Sequence, residues 1–349
     1  MKRYGHLFEH VCSFEALTRS AHQAARGKKT KPRVALFLQN LENEVIEIEA
    51  ELLEKTYQPR PYRTFKIHDP KERMICAADF RDRVVHHAVC SVLEPIFERA
   101  FISDTYACRK HRGTLRAIKR AQAFCRRYCY FLKLDVHKFF DSVDHEVLKY
   151  QLRRKVKDLD LLRLLDVFID HPVPWTEAGK GIPIGNLTSQ HFANFYLSGL
   201  DHYIKEYLRI EGYLRYMDDL VLFADEKETL WDAAAGIEGY LEKKLRLKTR
   251  SGDVILAPVT QGLPFLGFQI FPGVIRISRK GWRRFRRKMI TRNGQYFRGD
   301  IDHKDWHRSV ASLIGNMQQA DTRNLRAPFI STNELLSINS NTANSGAWG

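Results

Sequence analysis

The chain has 349 residues, 44% of them hydrophobic and 28% charged, which describes a folded globular protein rather than a disordered tract. Its 57 lysines and arginines against 41 acidic residues leave a net charge of +16, more than solubility requires, so a nucleic acid is the favoured partner. No apolar run reaches the roughly 20 residues that span a bilayer, and the N-terminus lacks the apolar core of a signal peptide, so a cytoplasmic protein with no membrane partner is expected.

In chain order, residues 1–60 read mostly as helix, with "VALFLQNLENEVIEIEAELLEKTY" as one amphipathic run ended by Pro59 and Pro61. "YRTFKIHDPKERMICAA" alternates around Asp69-Pro70 and predicts two strands and a turn. "RVVHHAVCSVLEPIFERAF" and "TLRAIKRAQAFCRRYCYF" are helical, and "FLKLDVHKFFDSV" is a short apolar strand running into a turn. Helical patterns return at "HEVLKYQLRRKVKDLDLLRLLDVFID" and "NLTSQHFANFYLSGLDHYIKEYL", followed by a hairpin at "YLRYMDDLVLFA". "ETLWDAAAGIEGYLEKKL" is helix, "PFLGFQIFPGVIRIS" a second hairpin, and from about 281 the chain is helical and basic. The Ser-, Asn- and Thr-rich tail predicts a loose end.

The six cysteines (Cys12, Cys76, Cys90, Cys108, Cys125, Cys129) show no CxxC pairing, which predicts reduced, packing thiols and no zinc site. Basic residues cluster in "ARGKKTKPR" (25–33) and in "SRKGWRRFRRKM" (278–289), the second interleaved with Trp282 and Phe285. That mixture suits phosphate contacts together with apolar anchoring of the helix.

The chemistry centres on "GYLRYMDDLVLFADE" (212–226), where Asp218 and Asp219 sit side by side inside an apolar run. A tight turn accounts for the pair, since Asp is a favoured turn residue. A divalent cation accounts for it equally well, because it removes the repulsion between adjacent carboxylates. A third carboxylate favours the cation. Asp135 ends the strand "FLKLD", and if the two strands are neighbours in one sheet the three carboxylates form an oxygen-rich site for two Mg²⁺ ions. Two such ions clamp the attacking and leaving oxygens of a phosphoryl displacement.

"RYMDDLVLFA" resembles the YxDD box of reverse transcriptases, and "FLKLDVHKFFDSVDHEVL" resembles their preceding metal-binding box. "GIPIGNLTSQHFANFYLSGLDHYIKE" (181–206) is similar to the glycine turn and helix between the two, and "LPFLGFQI" (263–270) to the primer-grip hairpin. "DPKERMICAADFRDRVVHHAV" and "SDTYACRKHRGTLRAI" are similar to fingers-side segments of bacterial and group II intron-like enzymes, so the resemblance covers about 55–275.

The resemblance implies an α+β right-hand polymerase. An N-terminal segment and fingers would take 1–110 and a palm 111–272 with a fingers-side insertion near 145–180. A helical thumb would take 273–335 and a loose tail 336–349. It implies Asp135, Asp218 and Asp219 as the catalytic metal ligands, with two Mg²⁺ ions for which Mn²⁺ substitutes. Phe140 would be the steric gate against a 2′-hydroxyl, its alternative being an ordinary core phenylalanine. Arg73 would contact the incoming triphosphate and Lys66 would be a second cation there. Tyr216 and Met217 would lie against the primer end. Arg109 would position the template, unless it is plain surface. Arg283, Arg284 and Arg287 would contact the RNA–DNA duplex. Lys248 is the nearest lysine to the place of a pyrophosphate acid, but its spacing is poor and it is not assigned.

The middle box departs from the family pattern. Ile184-Gly185 and Ser189-Gln190 stand where most relatives read Gln-Gly and Ser-Pro. Gly185 keeps the close backbone approach expected toward nucleotide and template. Ile184 removes a side-chain amide beside the nascent base pair, which loosens geometric checking. "IGNLTSQ" resembles the enzymes of diversity-generating retroelements, which copy a template RNA with errors at adenines and work with a small basic accessory protein. A phage-defence reverse transcriptase and an RNA-binding, maturase-like scaffold are the other readings, and an RNA-dependent RNA polymerase is disfavoured by Phe140. No RNase H-like acidic set or HNH-type histidine cluster is found, so priming is expected from elsewhere.

Overall fold

The computed structural model describes residues 2–68, 72–250 and 254–330. The N-terminal stretch folds as α1 (Glu9–Cys12), α2 (Phe14–Ala24), α3 (Pro32–Gln39) and α4 (Leu41–Leu53). The single helix expected from Val34 onward is broken at Asn40, which leaves helical geometry at φ −107°, ψ 29°. Asparagine's short polar side chain competes for backbone hydrogen bonds and favours helix ends over interiors.

Next come β1 (Arg63–Ile67) and β2 (Arg73–Ala77), an antiparallel ribbon in which Phe65 faces Ile75 and Lys66 faces Met74. The expected Asp69-Pro70 turn lies outside the described residues. Helix α5 (Phe80–Glu98) starts at Asp79, whose carboxylate accepts the Arg81 N–H at 3.2 Å. It buries Val84, Val85, Ala88, Val89 and Leu93 completely. After it come α6 (Gly113–Arg127), β3 (Tyr130–Asp135) and α7 (Phe139–Ser142).

The following helical stretch splits into α8 (His145–Arg153) and α9 (Leu159–Asp170). Asp158 causes the break: it caps α9 by accepting the Leu161 N–H at 3.1 Å, and its other oxygen accepts Leu7 and Phe8 N–H groups at 2.7 and 2.9 Å. The long helix expected after Asn186 is α10 (Leu187–Tyr196) and α11 (Ser198–His202), continued by a wider π-turn over Tyr203–Tyr207. Helix α10 packs against α5 and is buried almost all round.

Then follow β4 (Gly212–Tyr216), β5 (Asp219–Ala224), α12 (Lys227–Leu245) and β6 (Ile255–Pro258). The sheet they form with β3 has the order β4–β5–β3–β6, so the two carboxylate-bearing strands are neighbours as expected. The second hairpin carries a third strand. β7 (Leu263–Phe265), β8 (Phe268–Ile270) and β9 (Ile275–Ile277) make one antiparallel sheet. The chain then runs into α13 (Arg279–Phe297) and α14 (His303–Met317), and the expected loose tail lies outside the described residues.

Among the described residues, one compact unit takes in those up to Gly113, Lys133–Leu222 and Glu228–Ile255. The other takes in Thr114–Leu132, Phe223–Lys227 and those from Leu256 onward. These units interleave along the chain. In the second unit Phe285, Met289 and Met317 form a small core flanked by Trp282, Leu313 and Phe329. Trp282 stacks on Phe285 with centroids 5.4 Å apart, so the aromatics among the arginines do anchor the helix. No helix among the described residues is long and apolar enough to cross a membrane.

Candidate active site

Strands β4 and β5 are joined by Met217 and Asp218 alone, a two-residue turn. Met217 takes a positive φ of 58°, which is costly for a residue with a side chain. The turn is held from beneath. Arg215, 0% exposed, donates from Nη1 to the Met217 carbonyl at 2.9 Å and to Asn194 Oδ1 at 3.0 Å. Its Nη2 and Nε reach the Asp201 carboxylate at 2.6 and 2.7 Å, and the Tyr213 hydroxyl donates to the same carboxylate at 2.7 Å. Asp201 is also 0% exposed, so β4 is bolted to α10 and α11 by a buried, hydrogen-bonded ion pair. The sequence reading missed this pair. Its signals were an arginine inside an apolar strand and an aspartate inside an apolar helix, each needing a partner once buried.

Asp135 is held at the end of β3 by its carbonyl, which accepts the Arg250 N–H at 3.0 Å. Arg250 Nη1 also stands 3.9 Å from Asp135 Oδ2. Burial raises the Asp218 carboxyl above its ordinary range and the Asp135 charge adds to the rise, while Arg73 and Arg215 pull it down. Burial pushes Asp219 up to about 7 against the pull of Lys133, with Asp135 and Asp218 adding to the rise. Asp135 and Asp218 thus both act on the carboxyl of Asp219.

Among the described residues no three His, Cys, Asp or Glu side chains form a ready-made metal cage. The donor set fits a divalent ion in a different way. The ligands are hard carboxylate oxygens, and Asp219 Oδ1 is a buried atom with no hydrogen-bond partner. Lys133 Nζ lies 3.1 Å from it as an ion pair from the neighbouring strand. Mg²⁺ in phosphoryl-transfer sites is characteristically held by one or two carboxylates together with substrate phosphates, so an all-protein cage is not required.

Phe139 and Phe140 differ in burial. Phe139 is 2% exposed and is the core residue, while Phe140 is half-buried, edge-on to it at 5.6 Å. The Phe140 carbonyl accepts the Ile182 N–H at 2.8 Å, which fixes the loop that follows β3.

Three of the expected site residues have partners within the protein itself. Gly185, at φ 122°, does make a close backbone approach, but to the protein's own strand. A Cβ there would sit 2.9 Å from the Cys76 carbonyl oxygen and 2.9 Å from Ile75 Cγ2, and the Ile184 carbonyl accepts the Cys76 N–H at 2.9 Å. The glycine is required because the loop crosses β2 in contact.

Lys66 does not join Arg73. The register pairs Arg73 with Ile67, and period-2 alternation then places Lys66 on the opposite face of the ribbon, where its ammonium pairs with Glu72 at 2.9 Å. Arg109 is a loop clamp. It grips Glu98 at 2.8–3.1 Å and donates to the Ile102 and Thr105 carbonyls at 2.7 and 3.1 Å, with its side chain only 5% exposed. An arginine so fully engaged has little left for a template.

Arg73 itself is exposed, as are Arg283 and Arg287, while Arg284, Tyr216 and Met217 are half-buried. A cavity of 890 Å³ lies along the Phe65–Ile75 face of the ribbon and is lined by Lys28, Arg33, Arg63, Arg83, Gly185 and Asn186.

A family model for "Reverse transcriptase (RNA-dependent DNA polymerase)" matches residues 66–270. The chain is similar to Protein YkfC of Escherichia coli (strain K12), 26% identical over 288 residues, which is 68% of this chain and 72% of YkfC. It is also similar to the group II intron-encoded protein LtrA of Lactococcus lactis subsp. cremoris, 29% identical over 173 residues, 47% of this chain but 28% of LtrA. A solved structure of apo telomerase from Candida tropicalis, truncated from its C-terminal domain, aligns with a TM-score of 0.49 at 13% identity, covering 66% of this chain and 59% of that one. The family uses divalent metal ions, in keeping with the carboxylates described above. Matched by that model over more than half its length, the chain belongs to the reverse transcriptase (RNA-dependent DNA polymerase) family; its fold is the α+β right-hand polymerase fold and its enzyme class RNA-directed DNA polymerase.

Proposed function

We propose that this chain copies a template RNA into mutagenised cDNA as the error-prone enzyme of a diversity-generating retroelement. The convergence of Asp135, Asp218 and Asp219 in one electrostatic environment supports the polymerase chemistry. Those carboxylates would hold two Mg²⁺ ions, or Mn²⁺ in their place, which when bound neutralise charge at the transferring phosphoryl group. Arg73, whose charge is felt at Asp218, binds the triphosphate of the incoming dNTP with a fork matched to phosphate oxygens. Phe140 presents its half-buried ring to the sugar and excludes a 2′-hydroxyl. Arg283, Arg284 and Arg287 contact the backbone of the RNA–DNA duplex. In this proposal the segments 1–110, 111–272 and 273–335 act as fingers, palm and thumb, and a small basic accessory protein is the partner.

The observation that carries the mutagenic reading is Ile184, half-buried and held by its carbonyl against the β2 backbone in the box where most relatives place glutamine. A glutamine offers a donor and an acceptor that a misplaced base pair leaves unsatisfied, at a cost of roughly 1–3 kcal/mol. Isoleucine imposes no such cost, so mispairs are extended more readily. The test is to sequence cDNA made by the wild-type and Ile184→Gln enzymes on one RNA containing all four bases. Misincorporation should fall about fivefold or more in the variant, most of all opposite template adenine. A wild-type enzyme already accurate at adenine overturns the diversity-generating reading and leaves a defence or general retroelement enzyme.

A further inference from the structure

Two of the three carboxylates face a basic side chain of the chain itself, and one of these pairs is built into the sheet. Lys133 stands two residues before Asp135 on β3, so strand alternation puts both on one face, while Leu132 and Leu134 are buried on the other. From that face Nζ lies 3.1 Å from Asp219 Oδ1 on the neighbouring strand. Only about a fifth of either side chain is exposed, at 22% and 20%. Oδ1 is buried, and an ammonium this close to it is an ion pair carried on a flexible stem.

We propose that Lys133 is a tethered counter-ion of Asp219, which neutralises that carboxylate when no divalent cation does and gives way when one binds. Three neighbouring, half-buried carboxylates repel each other, and this repulsion opposes folding of the hairpin unless a cation relieves it. Lysine suits the task because its charge sits on a flexible stem. Arginine at Asp135 differs, since Arg250 is also fixed through its backbone N–H to the Asp135 carbonyl. The consequence is a site with weak intrinsic metal affinity, tightened when the triphosphate adds its own negative charge. Lys133 acts through Asp219 and is a positioning residue. The inference rests on the reading of the three carboxylates as metal ligands.

The experiment uses the full chain without nucleic acid or nucleotide and Mn²⁺ as the probe, with free ion followed by electron paramagnetic resonance. Lys133→Met should tighten Mn²⁺ binding by at least about fivefold, because the ion no longer competes with the ammonium for Asp219. Lys133→Arg should stay near wild type. In an Asp219→Asn background, Lys133→Met should change Mn²⁺ affinity little, since the pair is already broken. The thermal midpoint supplies a second readout: Lys133→Met should melt lower than wild type in EDTA and gain more from added Mn²⁺. If Lys133→Met binds Mn²⁺ no more tightly, and gains no more stability from it than wild type, the counter-ion role is wrong. If Asp218→Asn and Asp219→Asn leave wild-type Mn²⁺ binding unchanged, the metal-ligand assignment itself fails.

Discussion

Arg215, beneath the carboxylate hairpin, is 0% exposed and has a hydrogen-bond acceptor at every side-chain nitrogen, whereas Arg283, Arg286 and Arg287 on α13 stand in solvent. A buried charge has to be matched atom by atom, so it fixes a geometry. Exposed charges need no individual match, and what counts is their summed field, which salt screens. Arg215 therefore carries charge as architecture and α13 carries it as a diffuse surface. The two should fail differently when mutated.

The largest effect is expected at the hairpin tip. Asp218→Asn keeps the shape and removes one negative charge. Losing a metal ligand forfeits several kcal/mol of charge stabilisation in phosphoryl transfer, and about 4 kcal/mol is roughly a thousandfold in rate. Primer extension on an RNA template should drop to background while affinity for the RNA–DNA duplex stays within about twofold, since in the proposed reading the latter rests on the arginines of α13. Substantial extension by the variant would remove Asp218 from the metal ligands.

Arg215→Met comes next, and it tests stability in place of chemistry. Truncating one partner leaves Asp201 charged and 0% exposed, a situation that costs about 3–5 kcal/mol. Urea denaturation should show that loss at both low and high salt, because the pair is shielded from screening ions. Asp201→Asn should destabilise in the same direction. A change below about 1 kcal/mol for both variants would mean that the turn is not held from beneath.

This contrast also explains what the sequence disclosed. The carboxylates were legible because two adjacent aspartates inside an apolar run violate the pattern of a strand, and a violation invites a specific cause. The exposed arginines were legible as a composition shift. Arg215 and Asp201 each break an apolar pattern too, but their partnership joins residues 14 apart through tertiary packing that no local spacing encodes. Arg109 misled for the same reason, since its Glu98 partner is supplied by the fold. Gly185 was read correctly as a close approach, yet the object approached, the Cys76 carbonyl, belongs to a strand more than 100 residues earlier. Lys66 could be placed only once the ribbon register was known. The break at Asn40 and the third strand β9 are local events where weak propensities were overridden by packing.

The smallest effect is expected on α13, and it is the one that isolates the diffuse side of the comparison. The apolar anchor of the helix is Phe285 and Met289 on its inner face, so changing Arg283, Arg284 and Arg287 together to glutamine should leave the thermal midpoint nearly unchanged. Each arginine that neutralises a phosphate releases about one condensed counter-ion on binding, and the log–log slope of affinity against salt counts them. Binding of an RNA–DNA duplex, titrated from low to moderate salt, should give a slope smaller by about 2–3 in the triple variant than in wild type. Most of the lost affinity should appear at low salt and little at high salt, the opposite of the salt-independent loss at Arg215. An unchanged slope would make this arginine cluster an ordinary solvated face and place the duplex contacts elsewhere. A lowered midpoint would mean that these side chains pack as well as repel, and the two regions would then differ in degree only.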